Sequence, residues 1–483
     1  MCSARRSEES RWLRIEGDPR NHYVAAMDWA DERTVVVQQL NRLQNTNRVI
    51  NCDFMKGTAN VFHTDTSDTW VEPVDDLHWL NDGVTCVFIS ERDGWNHLYL
   101  VNADNQKVTP LMKDWQNDVV SVEHVDEKNG WIYFIGTHGI PTDRYLQRVS
   151  INDGRLEDVT PKTQKGTHAY QISPDGQFAI HTHSTLTDPP KIDLITLSDH
   201  GVVRSLIDNA ELKKTLNAVQ RPRQEFLQVK LPTGEMMDGW ALTPADLDKS
   251  KKYPLLMYVY GEPAGSTVTN RWGGTRQLWH ELMAQKGYVV MSFDNRGTKV
   301  PRGAKWRKSV YEKIGIIAPN DQALAVQTVL ADRSYLDPDR VGVWGWSGGG
   351  SMTLNAMFKF PKLYHTGISV APVPNQRLYD TIYQERYMGL PDKNVEGYRR
   401  GSTINFAHQL EGNLLLIHGT GDDNCHYQGT EMLMNELIRH NKQFSLMAYP
   451  NRTHAIREGK NTTRHLRQLM TDYFSRNLPA GPQ

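Results

Sequence analysis

The run Val341-Gly342-Val343-Trp344-Gly345-Trp346-Ser347-Gly348-Gly349-Gly350 limits what this chain can fold into more than any other stretch. An apolar segment, preceded by the turn-like Leu336-Asp337-Pro338-Asp339-Arg340, leads directly into Gly-x-Ser-x-Gly, and a helix-compatible segment follows from Met352 to Phe360. Strand, sharp turn and helix in that order thrust a serine out at the end of a sheet, where it serves as a nucleophile. The glycines are needed because the turn is strained and side chains there would collide with the neighbouring strand and helix. In a chain with 36 glycines the five-residue pattern alone is a weak signal; the strand before it and the helix after it give it weight.

A length of 483 residues allows two or three domains with sizeable cores. The formal charge of −1 and the lack of any long charge block give no footing for nucleic acid. Cys2, Cys52, Cys86 and Cys425 are scattered with no CxxC pair, so neither a metal site nor a disulfide framework is expected. No apolar run approaches the roughly 20 residues that span a bilayer. Met1-Cys2-Ser3-Ala4-Arg5-Arg6 leads into Ser7-Glu8-Glu9-Ser10 and not into an apolar core, so no signal peptide is visible.

The chain changes character partway along. In the first 210 residues, short runs such as Val84-Thr85-Cys86-Val87-Phe88-Ile89 and Trp131-Ile132-Tyr133-Phe134-Ile135 read as strands. Turn signals such as Asn81-Asp82-Gly83, Asn152-Asp153-Gly154 and Pro174-Asp175-Gly176 separate them. The units recur at intervals of roughly 40–50 residues, which predicts about four propeller blades near 22–74, 75–116, 117–163 and 165–210; an irregular sandwich is the alternative. Residues 211–252 read as connecting strands and linker. From Tyr253 strands alternate with helices, which predicts a mostly parallel, doubly wound sheet over residues 253–483.

A serine hydroxyl needs an adjacent base held by an acid. On an α/β-hydrolase sheet these follow in the order Ser, Asp or Glu, then His, each just past a strand. Leu414 to His418 runs into Gly419-Thr420-Gly421-Asp422-Asp423-Asn424, and Leu446 to Pro450 runs into Asn451-Arg452-Thr453-His454. The expected triad is therefore Ser347, Asp422 and His454, with Asp423 the rival acid. An anionic intermediate needs donors. The backbone N–H of Gly348 is one, and Tyr260, heading the loop Tyr260-Gly261-Glu262-Pro263-Ala264-Gly265, can supply a phenolic O–H.

These residues resemble the prolyl oligopeptidase group of serine peptidases, and within it the dipeptidyl peptidase IV branch. The resemblance is carried by Ser292-Phe293-Asp294-Asn295-Arg296-Gly297, Gly345-Trp346-Ser347-Gly348-Gly349, Val370-Ala371-Pro372-Val373, the run Tyr379 to Pro391, and His418-Gly419-Thr420-Gly421-Asp422-Asp423-Asn424-Cys425-His426. It implies cleavage after proline, or sometimes alanine, in a peptide with proline at its second position. It matches Tyr260 to the oxyanion tyrosine and Tyr379, Tyr383, Val373 and Asn424 to the residues that line or flank the proline pocket. A flat pyrrolidine fits between aromatic faces. No cofactor or metal is implied. The family often forms homodimers, and its bacterial members are mostly periplasmic or surface-bound.

Several positions depart from the pattern. Gly348 stands where branch members usually carry an aromatic or larger residue, and Gln376 and Cys425 replace apolar pocket neighbours. The paired glutamates that grip a substrate's free amine in this branch have no counterpart beyond Glu8-Glu9, which lies in a polar tail without the expected helix context. The expectation is a chain shortened at its front. Two alternatives accompany the leading reading: a broader endopeptidase or acyl-peptide hydrolase lacking the amine clamp, and a catalytically inactive scaffold.

Overall fold

The computed structural model describes residues 2–3, 10–75 and 77–483, so Glu8 and Glu9 lie outside the described residues. The chain divides into two compact units. One runs to His183 and adds Lys191–Ile207 and Pro301–Lys308; the other comprises Ser184–Pro190, Asp208–Val300 and Ser309–Gln483.

The first unit contains four four-stranded sheets, each built from strands consecutive in the chain. They begin at His22–Trp29, His78–Trp79, Ser121–Asp126 and Thr167–Ile172 and end at Thr58–Thr66, Val108–Pro110, Leu156–Asp158 and Val202–Ile207. This is the blade architecture expected from the sequence period. The aspartates at the turns recur for a physical reason: Asp31 Oδ1 and Asp82 Oδ1 each accept two backbone N–H groups, those of Arg33 and Thr34 and of Val84 and Thr85. Such bonds close a turn that the strands alone would leave unsatisfied. Apolar side chains of successive sheets share cores: Val36, Val49 and Phe62 with Phe88 and Val101, then Val87 and Leu98 with Ile132 and Phe134, then Ile135 and Leu146 with Tyr170 and Ile195.

One piece of this unit comes from far along the chain. In Pro301–Lys308, Arg307 forms ion pairs with Glu91 and with the buried Asp118, and the Gly303 N–H donates to Asp118 Oδ2 at 2.7 Å.

The second unit is organised on an eight-stranded sheet. Its order is Arg223–Lys230, Met236–Thr243, Val289–Phe293, Tyr253–Tyr258, Leu336–Trp346, Thr366–Val370, Asn413–Gly419 and Ser445–Tyr449. The first two strands pair antiparallel and the remaining six run parallel. The parallel strands are apolar along their length because helices cover the sheet. Leu256, Tyr258, Trp344, Ile368 and Ile417 pack with Trp279, Met283, Met470 and Phe474 from helices Gly274–Gln285 and Thr462–Asn477. The α/β-hydrolase fold expected for this half is present.

The turn-like Leu336-Asp337-Pro338-Asp339-Arg340 is drawn into the strand that ends at Trp346. Tyr253 pairs with Leu336 and Pro254 with Asp337, but Leu255 pairs with Val341, so three residues bulge out. Pro338 has no N–H to give a ladder, which is why the pairing skips it. The helix after the serine starts at Gly348, earlier than the Met352 suggested by composition.

Candidate active site

Ser347 stands between strand Leu336–Trp346 and helix Gly348–Lys359 at φ 60°, ψ −122°. That backbone is strained for a side-chain-bearing residue and persists only where its surroundings over-determine it. Two of those surroundings are steric. A Cβ on Gly345 would lie 2.6 Å from the Val259 carbonyl oxygen, and a Cβ on Gly349 would run into the same oxygen. A third is polar: the Ser347 N–H donates to the Val370 carbonyl at 2.9 Å. The serine is partly exposed, and the Cys425 thiol lies 3.9 Å from its hydroxyl.

His454 follows strand Ser445–Tyr449, and its Nδ1 is 2.8 Å from Asp422 Oδ2. Trp346 Nε1, on the residue before Ser347, donates to the His454 carbonyl at 3.0 Å and so ties the histidine's loop to the serine's strand. Among the described residues no hydrogen bond joins Ser347 Oγ to His454; bonds of this type tighten when substrate binds.

Asp422, its side chain wholly buried, lies past strand Asn413–Gly419. Its Oδ1 accepts the backbone N–H groups of Asn424 and Cys425 at 3.0 and 2.9 Å. Burial alone would push this carboxyl up. Hydrogen bonds from His418 and His454, the charge of His454 and the Cys425 amide outweigh burial and hold it well below the usual carboxylate range. Asp423, the adjacent rival, is exposed.

His418 has a place that motif reading did not assign. Its Nε2 is 2.7 Å from the Cys425 carbonyl and 3.1 Å from Asp422 Oδ2, and its Nδ1 is 2.8 Å from Thr430 Oγ1. Both partners of Nε2 accept only, so Nε2 carries the proton. The signal available in sequence was its position, four residues before the acid at the end of the same strand.

Tyr260 sits two residues beyond strand Tyr253–Tyr258. Burial, and next the Glu262 carboxylate, hold its phenol far above the usual range, so it remains an O–H donor. Gly348, whose N–H is the other donor considered, is buried at the helix start.

The four residues expected from the sequence to line a proline pocket make specific contacts. The Tyr379 and Tyr383 rings meet edge to face, 5.2 Å apart at 89°. Tyr379 O–H donates to Asn424 Oδ1 at 2.7 Å, and Asn424 lies between Asp422 and Cys425 in the chain. Tyr383 O–H donates to Glu262 Oε2 at 3.0 Å. Val373 is held by Ser351, whose Oγ accepts the Val373 N–H at 2.9 Å. Asp380 caps helix Thr381–Met388 by accepting the Tyr383 N–H at 2.9 Å, which sets the direction of the helix bearing that ring. Gln376 is 2% exposed and its side chain is turned towards the Gly401 carbonyl. Cys425 is buried, and burial, with the Asp422 charge next, pushes its thiol up to about 12, so it stays protonated beside Ser347. Glu262, which motif reading left without a role, lies between Tyr383 and Gly348. Among the described residues no set of three His, Cys, Asp or Glu side chains is arranged to hold a metal ion, and no helix is long and apolar enough to cross a membrane.

Residues 277–480 match the prolyl oligopeptidase family, and residues 3–190 match the dipeptidyl peptidase IV N-terminal region. The chain is 29% identical over 459 residues to dipeptidyl peptidase 4 of Arthroderma otae, covering 92% of this chain and 58% of that protein. It is 28% identical over 447 residues to dipeptidyl peptidase 4 of Trichophyton equinum, covering 90% and 57%. The crystal structure of Porphyromonas gingivalis dipeptidyl peptidase 4 superposes with a TM-score of 0.90 at 30% identity, over 97% of this chain and 65% of that one. The chain thus spans somewhat more than half the length of these curated relatives. With matches in both halves and a nucleophile elbow of this form, the chain belongs to the prolyl oligopeptidase family of serine peptidases, in its dipeptidyl peptidase IV branch.

Proposed function

We propose that this chain hydrolyses peptide bonds after proline, or after alanine, by a Ser347, His454, Asp422 acyl-enzyme mechanism. The observation that carries this reading is the strained serine at the end of strand Leu336–Trp346, together with the 2.8 Å bond between His454 and a buried, ionised Asp422.

In this mechanism Ser347 Oγ attacks the scissile carbonyl while His454 Nε2 takes its proton. Asp422 fixes the imidazole so that Nδ1 carries the other proton, and stabilises the cation that forms. The oxyanion lies between the Gly348 N–H and the Tyr260 O–H. Collapse of the intermediate expels the amine with the proton returned from His454, and water repeats the sequence on the acyl-serine. Tyr379 and Tyr383 are the aromatic walls for the proline ring, flanked by Val373, and the Asn424 amide can donate to the substrate carbonyl.

Two substrates and one variant test this. A free-amine Gly-Pro arylamide and its N-succinylated twin are assayed with the full chain and with Ser347→Ala. Cleavage abolished by the substitution is the expected result, together with fluorophosphonate labelling of the wild type alone. Cleavage of the free amine only makes the chain a dipeptidyl peptidase. Cleavage of both makes it a peptidase without a ruler for the amino terminus, which Glu8 and Glu9, outside the described residues, leave open. Cleavage that survives Ser347→Ala would overturn the mechanism.

A further inference from the structure

One acid in this site has no part in the chemistry above. Glu262 is partly buried, its Oε2 accepts the Tyr383 O–H at 3.0 Å, and among the described residues no lysine, arginine or histidine pairs with it. On its other side is the residue after the nucleophile. A Cβ on Gly348 would lie 2.8 Å from both Cδ and Oε2 of Glu262. The carboxyl therefore fills the volume that any side chain at 348 would occupy, and the glycine is what admits it. Glu262 thus joins the backbone beside Ser347 to a tyrosine of the substrate pocket, as an acid with no counter-charge. A carboxyl without a counter-charge is stabilised further by any hydrogen-bond donor that a ligand brings to it.

We propose that Glu262 is a specificity-determining residue of the pocket. Its carboxyl hydrogen-bonds a hydroxyl on the residue before the scissile bond, so that 4-hydroxyproline is taken in preference to proline. The proposal rests on the reading of Tyr379 and Tyr383 as the walls of that pocket. A plain pyrrolidine laid over the carboxyl strips its water and returns nothing, whereas a ring hydroxyl replaces the lost hydrogen bond. The contrast sharpens when the carboxyl ionises, because a desolvated charge costs more and an ionised acceptor bonds more strongly.

The pH window follows from what faces the carboxyl. The groups around it are Tyr260 on its own loop, Tyr379 and Tyr383 on the segment leading into and forming helix Thr381–Met388, and Cys425 from the acid's loop. Burial holds all four protonated near neutrality. Burial also pushes the Glu262 carboxyl up to about 7, with the Tyr383 hydrogen bond acting in the opposite direction. Within this group Glu262 alone changes charge near pH 7. Titration of the triad affects both substrates equally and cancels in their ratio.

The test is the ratio of kcat/KM for Gly-hydroxyproline and Gly-Pro arylamides, measured between pH 5.5 and 8.5 on the full chain, Glu262→Gln and Glu262→Leu. In the wild type the ratio should rise about tenfold through pH 7, the worth of one hydrogen bond to a charged acceptor. In both variants it should be flat, and lower in Glu262→Leu. Should the leucine variant fail to fold by thermal melting, the slope of wild type against Glu262→Gln decides alone. Ser347-dependent cleavage of Gly-Pro with one pH-independent ratio in wild type and variants would overturn the proposal and leave the peptidase reading standing. A wild type that cleaves neither substrate overturns both.

Discussion

Asp422 Oδ2 is shared between two histidines: His454 Nδ1 at 2.8 Å, and His418 Nε2 at 3.1 Å. The second contact costs the acid nothing in charge, since His418 also donates to the Cys425 carbonyl and leaves its Nδ1 for Thr430. Two imidazoles thus hold the one carboxylate oxygen, while Oδ1 is held by the Asn424 and Cys425 amides.

Replacing His418 by phenylalanine leaves the buried Cys425 carbonyl and one face of Asp422 without a donor. A loss of about 1–3 kcal/mol in stability is expected, with a fall in kcat. Glutamine, which keeps an N–H, should recover part of both. Denaturant melts and kcat for the two variants check this.

Asp422→Asn should lower kcat by about 10⁴, because an amide presents the wrong partner to the imidazole and permits the wrong tautomer. Asp423→Asn, at the exposed neighbouring position, should stay close to wild type. Equal losses in the two variants would show that the acid has been misassigned.

Tyr260→Phe removes one of the two proposed oxyanion donors while leaving the ring. A drop of about 10²–10³ in kcat with little change in KM is expected. A change confined to KM would move Tyr260 from the reacting oxygen to substrate binding.

Gly348→Ala places a methyl group against the Glu262 carboxyl. The carboxyl is the far end of a flexible side chain, so the fold should survive with reduced activity. Gly348→Ala combined with Glu262→Ala should be more active than Gly348→Ala alone. Additive losses in a double-mutant cycle would show that the two positions do not compete for space.

Glu262 also makes a stability prediction. Its carboxyl stands at about 7 against an ordinary value of 4.5. The folded state thus binds more protons between these values, and stability must fall as pH rises through that window. The melting temperature of the wild type should decline relative to Glu262→Gln from about pH 4.5 to 7 and run parallel above it. A constant difference would mean that the carboxyl titrates normally.

The sequence determined whatever depends on neighbours in the chain. Apolar runs and glycine punctuation set the blade period and the alternation of strand and helix. The short-range stereochemistry of Gly345 to Gly349 marked Ser347 as the candidate nucleophile, because a strained elbow is a local object. The order of Asp422 and His454 after it followed from the sheet topology that such alternation allows.

Tertiary structure decided whatever depends on chain segments meeting. Asp422 and Asp423 are adjacent acids past the same strand, and the sequence ranks the first ahead of the second; the packing of their loop buries Asp422 against His454 and leaves Asp423 in solvent. Pro301–Lys308 lies amid hydrolase sequence, yet Arg307 finds its carboxylates at Glu91 and Asp118, about two hundred positions earlier. Glu262 and Gly348 share one volume although no sequence period connects them. Patterns in a sequence register periodicity and turn chemistry, whereas the protonation and fit of a buried side chain depend on the atoms that surround it, and those are set only when the chain has folded.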